Sequence, residues 1–244
     1  MKRVLFLFLI AVALFCAACQ PKPKGMTIIT ENYPPLSFES GGKITGFGAD
    51  VIEAIQNELK TDYQPILLSW DAAYKRALKE PNVVLFTMER TPEREGRFHF
   101  IGPLGANTTY FYALRENNGD LPDLEAARQA IGIATTTNWF SEQMLQEKGF
   151  TNLLSNPDPL DAIRLMTEGK AELGIFTDLT FPQICAEAEV SPAAFKPVLE
   201  LTQSEYYIAI SKSTDEVKVE EWRSAFERLK NEGVIEDLKS RWIK

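Results

Sequence analysis

The chain has 244 residues, and its 34 acidic side chains outnumber the 26 basic ones, for a formal net charge of −8. This acidic balance argues against a protein that binds nucleic acid or anionic lipid surfaces. The length is enough for a sizeable core and suits one large domain or two smaller lobes.

The first residues predict an export signal rather than part of the fold. Lys2 and Arg3 precede an almost unbroken apolar run over residues 4–15, and a Cys-Ala-Ala-Cys stretch ending at Cys19 supplies the small residues that a signal peptidase needs. The apolar run is short for a membrane span, although a retained membrane anchor is the alternative. We therefore expect residues 1–18 to be a signal peptide and the protein to act in the periplasm or at the cell-envelope exterior.

Cys19 follows two alanines and precedes a polar, proline-containing stretch. This arrangement resembles a bacterial lipobox, in which the cysteine becomes the lipidated first residue, and ordinary cleavage after Ala18 is the alternative. Residues 19–25 are then a tether between a lipid anchor and the domain. Apart from Cys19, cleavage leaves only Cys185, which we expect to be a small buried apolar residue without an internal disulfide partner.

Strands and helices alternate through the first part of the mature chain. We predict strands over Met26–Thr30, Gln64–Leu68 and Val83–Met88, with a helix that opens at Gly46 and another over Ala72–Lys79. In the first of these helices four apolar side chains share one face, namely Val51, Ile52, Ile55 and Leu59. Strands joined by helices in this order imply parallel pairing with helical crossovers.

The same alternation repeats in the second part of the chain. We predict strands over Tyr110–Leu114, Ala130–Ala134, Asn152–Leu154, Leu173–Phe176 and Tyr206–Ser211, and helices near Leu121, over Trp139–Gln146 and over Pro159–Glu168. After the last strand, Ser213 and Glu216 have the spacing of a capping box, and Gly233 ends the helix that follows. Two consecutive α/β units favour two lobes over one wide sheet.

Four stretches follow one another in a characteristic order. They are residues 33–38 with 46–51, Thr-Pro-Glu-Arg at 91–94 with 98–103, Asp123 and Leu124 with 132–137, and residues 209–212 with 229–233 and Trp242. Together they cover nearly the whole mature chain. In this combination they resemble the family 3 extracellular solute-binding proteins, best known as the polar amino-acid receptors of bacterial ABC importers.

The resemblance implies an α/β protein with the two-lobed periplasmic-binding-protein (Venus-flytrap) fold, in which mixed, mostly parallel sheets are joined by two hinge crossings. It places residues 26–105 and 206–244 in the first lobe and residues 106–205 in the second. The ligand is expected in the cleft between the lobes.

Arg94 is the first candidate for ligand contact. The resemblance implies that its guanidinium grips a ligand carboxylate with a planar fork of donors. The alternative is a solvated arginine that pairs with Glu93 or Glu95. Arg90 is a second candidate, although an arginine at that point is not the usual family residue.

In the second lobe, Thr137 and Asn138 stand where a strand meets the N-terminus of a helix. Free backbone amides and the helix dipole favour an anion there, and the resemblance implies that this loop holds the same carboxylate. The alternative is an ordinary hydroxyl cap. Asp178 is the candidate partner of a ligand ammonium, but Thr177 occupies the place that counting from Glu172 gives.

The remaining candidates surround these groups. Tyr33 and Trp70 occupy positions where the resemblance implies flat side chains against the ligand, and Trp139 is a further aromatic candidate; core packing is the alternative for each. Glu31, Thr87 and Glu89 complete the set at the cleft. Acidic groups beside arginines favour a ligand that carries donors or a positive charge as well as an anion.

The chain has a single histidine, His99, which excludes a histidine-cluster metal site and leaves little room for a catalytic triad. We expect a monomeric receptor without cofactor, metal or enzyme activity, which closes on a carboxylate-bearing amino acid or organic acid for an ABC permease. The alternatives are a periplasmic dehydratase-type enzyme on the same fold, with Glu31, Glu89 or Asp178 in acid–base roles, and a sensory partner of a membrane signalling protein.

Overall fold

The computed structural model of the protein describes residues 25–117, 119 and 121–243. The predicted signal peptide, the lipidation candidate Cys19 and the tether up to residue 24 lie outside the described residues. The strands are β1 Thr27–Thr30, β2 Phe38–Ser40, β3 Lys43–Thr45, β4 Ile66–Leu67, β5 Val83–Glu89, β6 Phe98–Leu114, β7 Ile133–Thr136, β8 Leu153–Asn156, β9 Leu173–Thr177 and β10 Phe195–Ser211. The helices are α1 Phe47–Leu59, α2 Trp70–Lys79, α3 Pro92–Glu95, α4 Leu124–Arg128, α5 Phe140–Glu147, α6 Pro159–Thr167, α7 Phe181–Glu187, α8 Glu216–Asn231 and α9 Val234–Trp242.

Eight strands form one mixed sheet in the order β4-β1-β5-β10-β6-β9-β7-β8, and β2 and β3 form a separate hairpin. Four of the seven neighbouring pairs in the large sheet are parallel; the antiparallel ones involve β6 or β10. The mixed, mostly parallel pairing that the resemblance implies is therefore confirmed, and the structure joins all eight strands into one sheet.

The two longest strands, β6 and β10, connect the ends of this sheet. They pair antiparallel with each other, from Phe195 opposite Leu114 to Ser211 opposite Phe98. At one end β10 also pairs with β5, and at the other β6 pairs with β9. We call the end with β1, β4, β5, α1, α2, α3, α8 and α9 the first half, and the end with β7, β8, β9 and α4 to α7 the second half.

Local signals explain where helices begin. Gly46 precedes α1 with φ 117, and a Cβ there would lie 2.6 Å from the carbonyl oxygen of Leu36, so only glycine fits. Helix α8 is capped by Asp215, whose side chain accepts a hydrogen bond from the backbone N–H of Val217. The predicted capping box was therefore wrong, because Ser213 lies two residues before the true cap.

The core matches the apolar pattern of the sequence. Val51, Ile52 and Ile55 are buried on one face of α1, as predicted, and Cys185 is a buried free thiol on α7. The hairpin of β2 and β3 and the full extent of α7 were not predicted. In the part of the chain that the structure describes, no helix combines the length and apolar character needed to cross a membrane.

Candidate ligand-binding site

The two halves meet over a small cavity of about 10 Å³. It is lined by Glu31, Tyr33, Trp70, Glu89, Trp139 and Phe140. The first four belong to the first half and the last two to the second half. The cavity therefore lies where the resemblance placed a ligand, and three of the four first-half residues follow or end parallel strands, whose carboxyl ends open on a shared edge.

Strand ends and a helix cap orient these side chains towards the cavity. Glu31 and Tyr33 follow β1, and Trp70 begins α2 after Ser69, whose hydroxyl caps the helix. Glu89 is the last residue of β5. Thr87, two residues earlier, is the extra residue of a β-bulge against β10 and has φ 68, an unusual backbone for a branched residue.

Thr87 itself does not line the cavity. Its hydroxyl donates to the carbonyl of Phe86 at 2.6 Å, and its methyl group packs near Gly48. The bulge thus shapes the strand end that carries Glu89. A direct contact between Thr87 and a ligand stays a prediction.

Arg94 is fully buried, at 0% exposure, on α3. Its Nη2 donates to Gln143 Oε1 at 2.9 Å and to the Asn138 carbonyl at 3.4 Å, both in the second half. Its guanidinium lies 5.0 Å from the ring centre of Trp70 and 5.2 Å from that of Tyr74.

The guanidinium of Arg94 makes no direct ion pair with a described acidic side chain. The neighbouring arginines Arg90 and Arg97 pair with Glu95 and Glu93, whereas Arg94 forms no salt bridge with any acidic side chain that the structure describes. Its Nε also lacks a hydrogen-bond partner. Burial lowers the pKa of Arg94, while the negative field of Glu89 opposes that shift. A buried guanidinium that no carboxylate contacts directly is costly for a protein unless an anion joins it.

Glu31 and Glu89 are buried together, at 8% and 6% exposure. Glu31 Oε2 accepts a hydrogen bond from Trp139 Nε1 at 3.0 Å, and Glu89 Oε1 accepts one from Tyr33 Oη at 3.3 Å. Burial, reinforced by the charge of Glu89, raises the pKa of Glu31 to about 8. Burial also raises the pKa of Glu89, although Arg94 opposes it. A charge on Glu89 therefore disfavours a second charge on Glu31.

The loop before α5 closes the site from the second half. The Asn138 carbonyl accepts from Trp70 Nε1 at 2.7 Å as well as from Arg94. The backbone N–H of Asn138 donates to Glu142 Oε2 at 2.6 Å, and that of Thr137 donates to the Asn156 carbonyl at 2.8 Å. Both amides expected to hold an anion thus have partners within the protein, and their contact with a ligand stays a prediction.

The structure separates Asp178 from the cavity. Asp178 is exposed, and its Oδ1 accepts from the backbone N–H of Thr108 at 3.1 Å. Thr177 is buried instead, and its hydroxyl lies 3.2 Å from Tyr33 Oη and 2.8 Å from Thr180 Oγ1. Successive side chains of a strand point to opposite faces, which explains why a shift of one position decides whether Thr177 or Asp178 faces Tyr33.

Arg90 lies outside the cluster, exposed on the surface. Its side chain pairs with Glu95 at 3.0 Å and rests over the rings of Phe100 and Tyr207 at 5.7 and 5.6 Å. The structure therefore brings together Glu31, Tyr33, Trp70, Glu89, Arg94 and Asn138, but not Arg90 or Asp178. A ligand role for either of these two residues stays a prediction.

Sequence reasoning missed several members of the site. Gln143 reaches Arg94, Glu142 holds the Asn138 loop, and Asp71 Oδ1 accepts from Asn138 Nδ2 across the two halves. The only available signal was position, because Glu142 and Gln143 lie within one helical turn of the candidate loop. Their roles depend on contacts between elements that are distant in the sequence, and no local sequence pattern indicates such contacts.

Residues 26–244 match the bacterial extracellular solute-binding proteins, family 3. The chain belongs to this family. It is also similar to the octopine-binding periplasmic protein of Rhizobium meliloti, with 29% identity over 132 residues, which are 52% of this chain and 44% of that protein. The aligned segment thus spans less than half of that relative's length.

Solved structures of other proteins share the fold. A histidine kinase sensor domain with similarity to periplasmic binding proteins has a TM-score of 0.80 at 19% identity, covering 92% of this chain and 98% of that domain. An ancestral arginine-binding protein bound to arginine has a TM-score of 0.77 at 19% identity, covering 91% and 99%. At this identity the likeness concerns the fold, and the predicted α/β periplasmic-binding-protein fold is confirmed.

Among the described residues, no group of three or more His, Cys, Asp or Glu side chains is placed to hold a metal ion. The polar groups of the site are instead one guanidinium, two carboxyls, hydroxyls and amides, surrounded by aromatic rings. Such a set binds the polar ends of a small organic molecule through hydrogen bonds and charge.

Proposed function

We propose that this family 3 protein is an extracytoplasmic receptor whose two lobes close on a small polar solute and deliver it to an ABC permease. The observation that carries the proposal is Arg94, a fully buried guanidinium without an acidic partner among the described residues. A solute carboxylate would supply the missing anion through charge-assisted, bidentate hydrogen bonds.

Closure is part of the proposal because the cavity is small. About 10 Å³ holds roughly one water molecule, so a solute the size of an amino acid enters only when the halves separate. The halves touch through Trp70 and Arg94 at the Asn138 carbonyl, Trp139 at Glu31 and Tyr33 at Thr177. We propose β6 and β10 as the hinge, with lobes at residues 26–105 with 206–244 and at residues 106–205.

The relatives support an amino-acid type of solute. One is named for octopine binding and another was solved with arginine. In this chain Arg94 would hold the carboxylate, and Tyr33, Trp70 and Trp139 would enclose the solute body. We further propose that the receptor is a monomer without enzyme activity, anchored through a lipid on Cys19.

The test is solute binding to Arg94→Ala, with Arg97→Ala as the matched control. Arg97 lies three residues away, but its side chain is half exposed and pairs with Glu93. Thermal-shift and calorimetric titration of refolded, solute-free protein would use amino acids, organic acids and polyamines. Loss of a buried charge partner costs about 2–5 kcal/mol, so Arg94→Ala should bind at least about 30-fold more weakly.

The control variant should bind as the unaltered protein does. Retained affinity of Arg94→Ala for every carboxylate solute would contradict the proposal. Slow chemical conversion of the bound solute, detected by mass spectrometry, would favour the dehydratase-type alternative instead.

A further inference from the structure

The site contains more buried acid than a carboxylate-binding pocket needs. Glu31 and Glu89 line the same cavity, yet each accepts its closest hydrogen bond from a neutral aromatic side chain, Trp139 or Tyr33. Their nearest cation is Arg94, which attracts both but donates to the backbone carbonyl of Glu89 rather than to either carboxyl. With both glutamates charged, the three groups would carry a net negative charge.

Independent features of the same cavity suit a cation. Its other walls are the rings of Tyr33, Trp70, Trp139 and Phe140, and Tyr33 meets Trp139 edge to face at 5.3 Å. Aromatic walls stabilise ammonium and guanidinium groups in a site sheltered from water. Arg94 lies behind the Trp70 wall rather than on the cavity surface, fully buried with its Nε unpartnered, and would contact the opposite, anionic end of a solute once the halves separate.

The second half offers no competing acid in the cavity. Thr177, at the strand end facing Tyr33, contributes a hydroxyl, while Asp178 is exposed on the other face. Glu187 contacts Asn32 across the halves at 3.1 Å, but this contact is exposed to solvent. Among the described residues that line the cavity, the acidic side chains are therefore Glu31 and Glu89, both from the first half.

We infer that Glu31 and Glu89 form the subsite for a positively charged nitrogen group of the solute, and that binding of this group expels a proton held by the pair. The inference rests on the proposed receptor function and names the class of solute: a zwitterion or cation with a carboxylate for Arg94. The proton passes to the solvent buffer, and the cation takes its place beside the carboxylates.

The surroundings of the pair explain why a proton is there to expel. Burial raises the pKa of both carboxyls, and the charge of Glu89 adds to the effect on Glu31, whose pKa rises to about 8, so the free protein holds a proton at neutral pH. The charged and titratable groups facing Glu31 are Glu89, Arg94 and Tyr33; those facing Glu89 are Glu31, Arg94, Tyr33 and Tyr206. An arriving cation favours the ionised form, because opposite charges lower a carboxyl pKa.

The experiment is calorimetric titration of the purified mature protein at neutral pH in phosphate and in Tris buffer, which differ in heat of ionisation. The probes are L-arginine, L-citrulline, L-glutamine and glutarate, the last without nitrogen. The tightest probe should carry a charged nitrogen, and glutarate should bind at least about 100-fold more weakly. The binding enthalpy of the tightest probe should differ between the two buffers, because binding releases a proton that the buffer takes up. This difference should vanish well above pH 8.

Variants locate the effect. Glu31→Gln and Glu89→Gln should each reduce proton release and weaken the cationic probe by at least about tenfold, whereas Glu187→Gln should alter neither. A protonated-carboxyl band in the infrared spectrum of the free protein should shrink in the first two variants and persist in the third.

Results that contradict the cation subsite can be told apart from results that contradict the receptor proposal. If glutarate is the tightest probe and Arg94→Ala abolishes its binding, the receptor stands and the cation subsite is wrong. Arg94-dependent binding of a cationic probe with equal enthalpies in both buffers would overturn the proton exchange. If no probe binds, absence of the infrared band at neutral pH, or its persistence in both glutamine variants, overturns the inference by itself.

Discussion

Glu142 is the residue that fixes the closing loop, and its replacement by alanine should both destabilise the protein and weaken solute binding. The side chain is 1% exposed on α5. It accepts from Thr135 Oγ1 at 2.8 Å and from the backbone N–H of Asn138 at 2.6 Å. Asn138 has φ 60, so the loop depends on such contacts to keep its shape.

The magnitude follows from the two donors that alanine would leave without a partner. A buried unsatisfied donor costs about 1–3 kcal/mol. The Thr135 hydroxyl is fully buried, whereas Asn138 is half-buried and partly reachable by water. We therefore expect Glu142→Ala to lower the free energy of unfolding by about 2–4 kcal/mol. Glu142→Gln keeps one acceptor oxygen and should cost about half as much.

The assay is urea unfolding followed by tryptophan fluorescence, with Glu147→Gln as the control, since Glu147 lies exposed on the same helix. Solute affinity should fall in Glu142→Ala as well, because the Asn138 carbonyl would no longer be held against Trp70 and Arg94. A change in unfolding free energy below about 0.5 kcal/mol, with unaltered affinity, would refute this reasoning.

Two further predictions concern charge and register. Between the ordinary carboxyl pKa of 4.5 and about 8, the folded protein keeps a Glu31 proton that the unfolded chain has lost, so stability falls with rising pH, by up to about 1.4 kcal/mol per pH unit. Urea midpoints measured across this range should show a shallower slope in Glu31→Gln, and equal slopes would argue against a buried neutral Glu31. Thr177→Val should weaken solute binding by removing the hydroxyl at Tyr33, whereas Asp178→Ala should leave it unchanged in the same titration; the reverse order would restore Asp178 as the solute partner.

Much of the fold follows from the sequence because its signals are local. The apolar face of α1 and the buried run of β5 are visible as periodicity, and both elements were predicted nearly to their ends. The strands β6 and β10 were predicted only at one end. Their middle stretches alternate exposed and buried residues at the junction of the halves, where no continuous apolar pattern marks them.

The site was predictable only in part, for a related reason. Arg94 and Tyr33 stand in recognisable motifs, and Trp70 stands at a position that the resemblance indicates; the structure places all three at the meeting of the halves. Gln143 and Glu142 carry no motif, since their importance depends on which distant loop they meet. The choice between Thr177 and Asp178 depended on strand register, which one sequence cannot fix to a single residue.

The position of β10 also governs the order in which the two halves of this protein can be completed. Its final residues, Tyr206 to Ile210, lie between β5 and β6 in the middle of the first-half sheet. The second half occupies one uninterrupted stretch, whose ends, Leu114 and Phe195, lie side by side. Because the chain emerges N-terminus first, the first-half sheet stays incomplete until β10, almost the last element, is available. The second half already contains all of its own strands before that point. The part translated first is thus the part finished last.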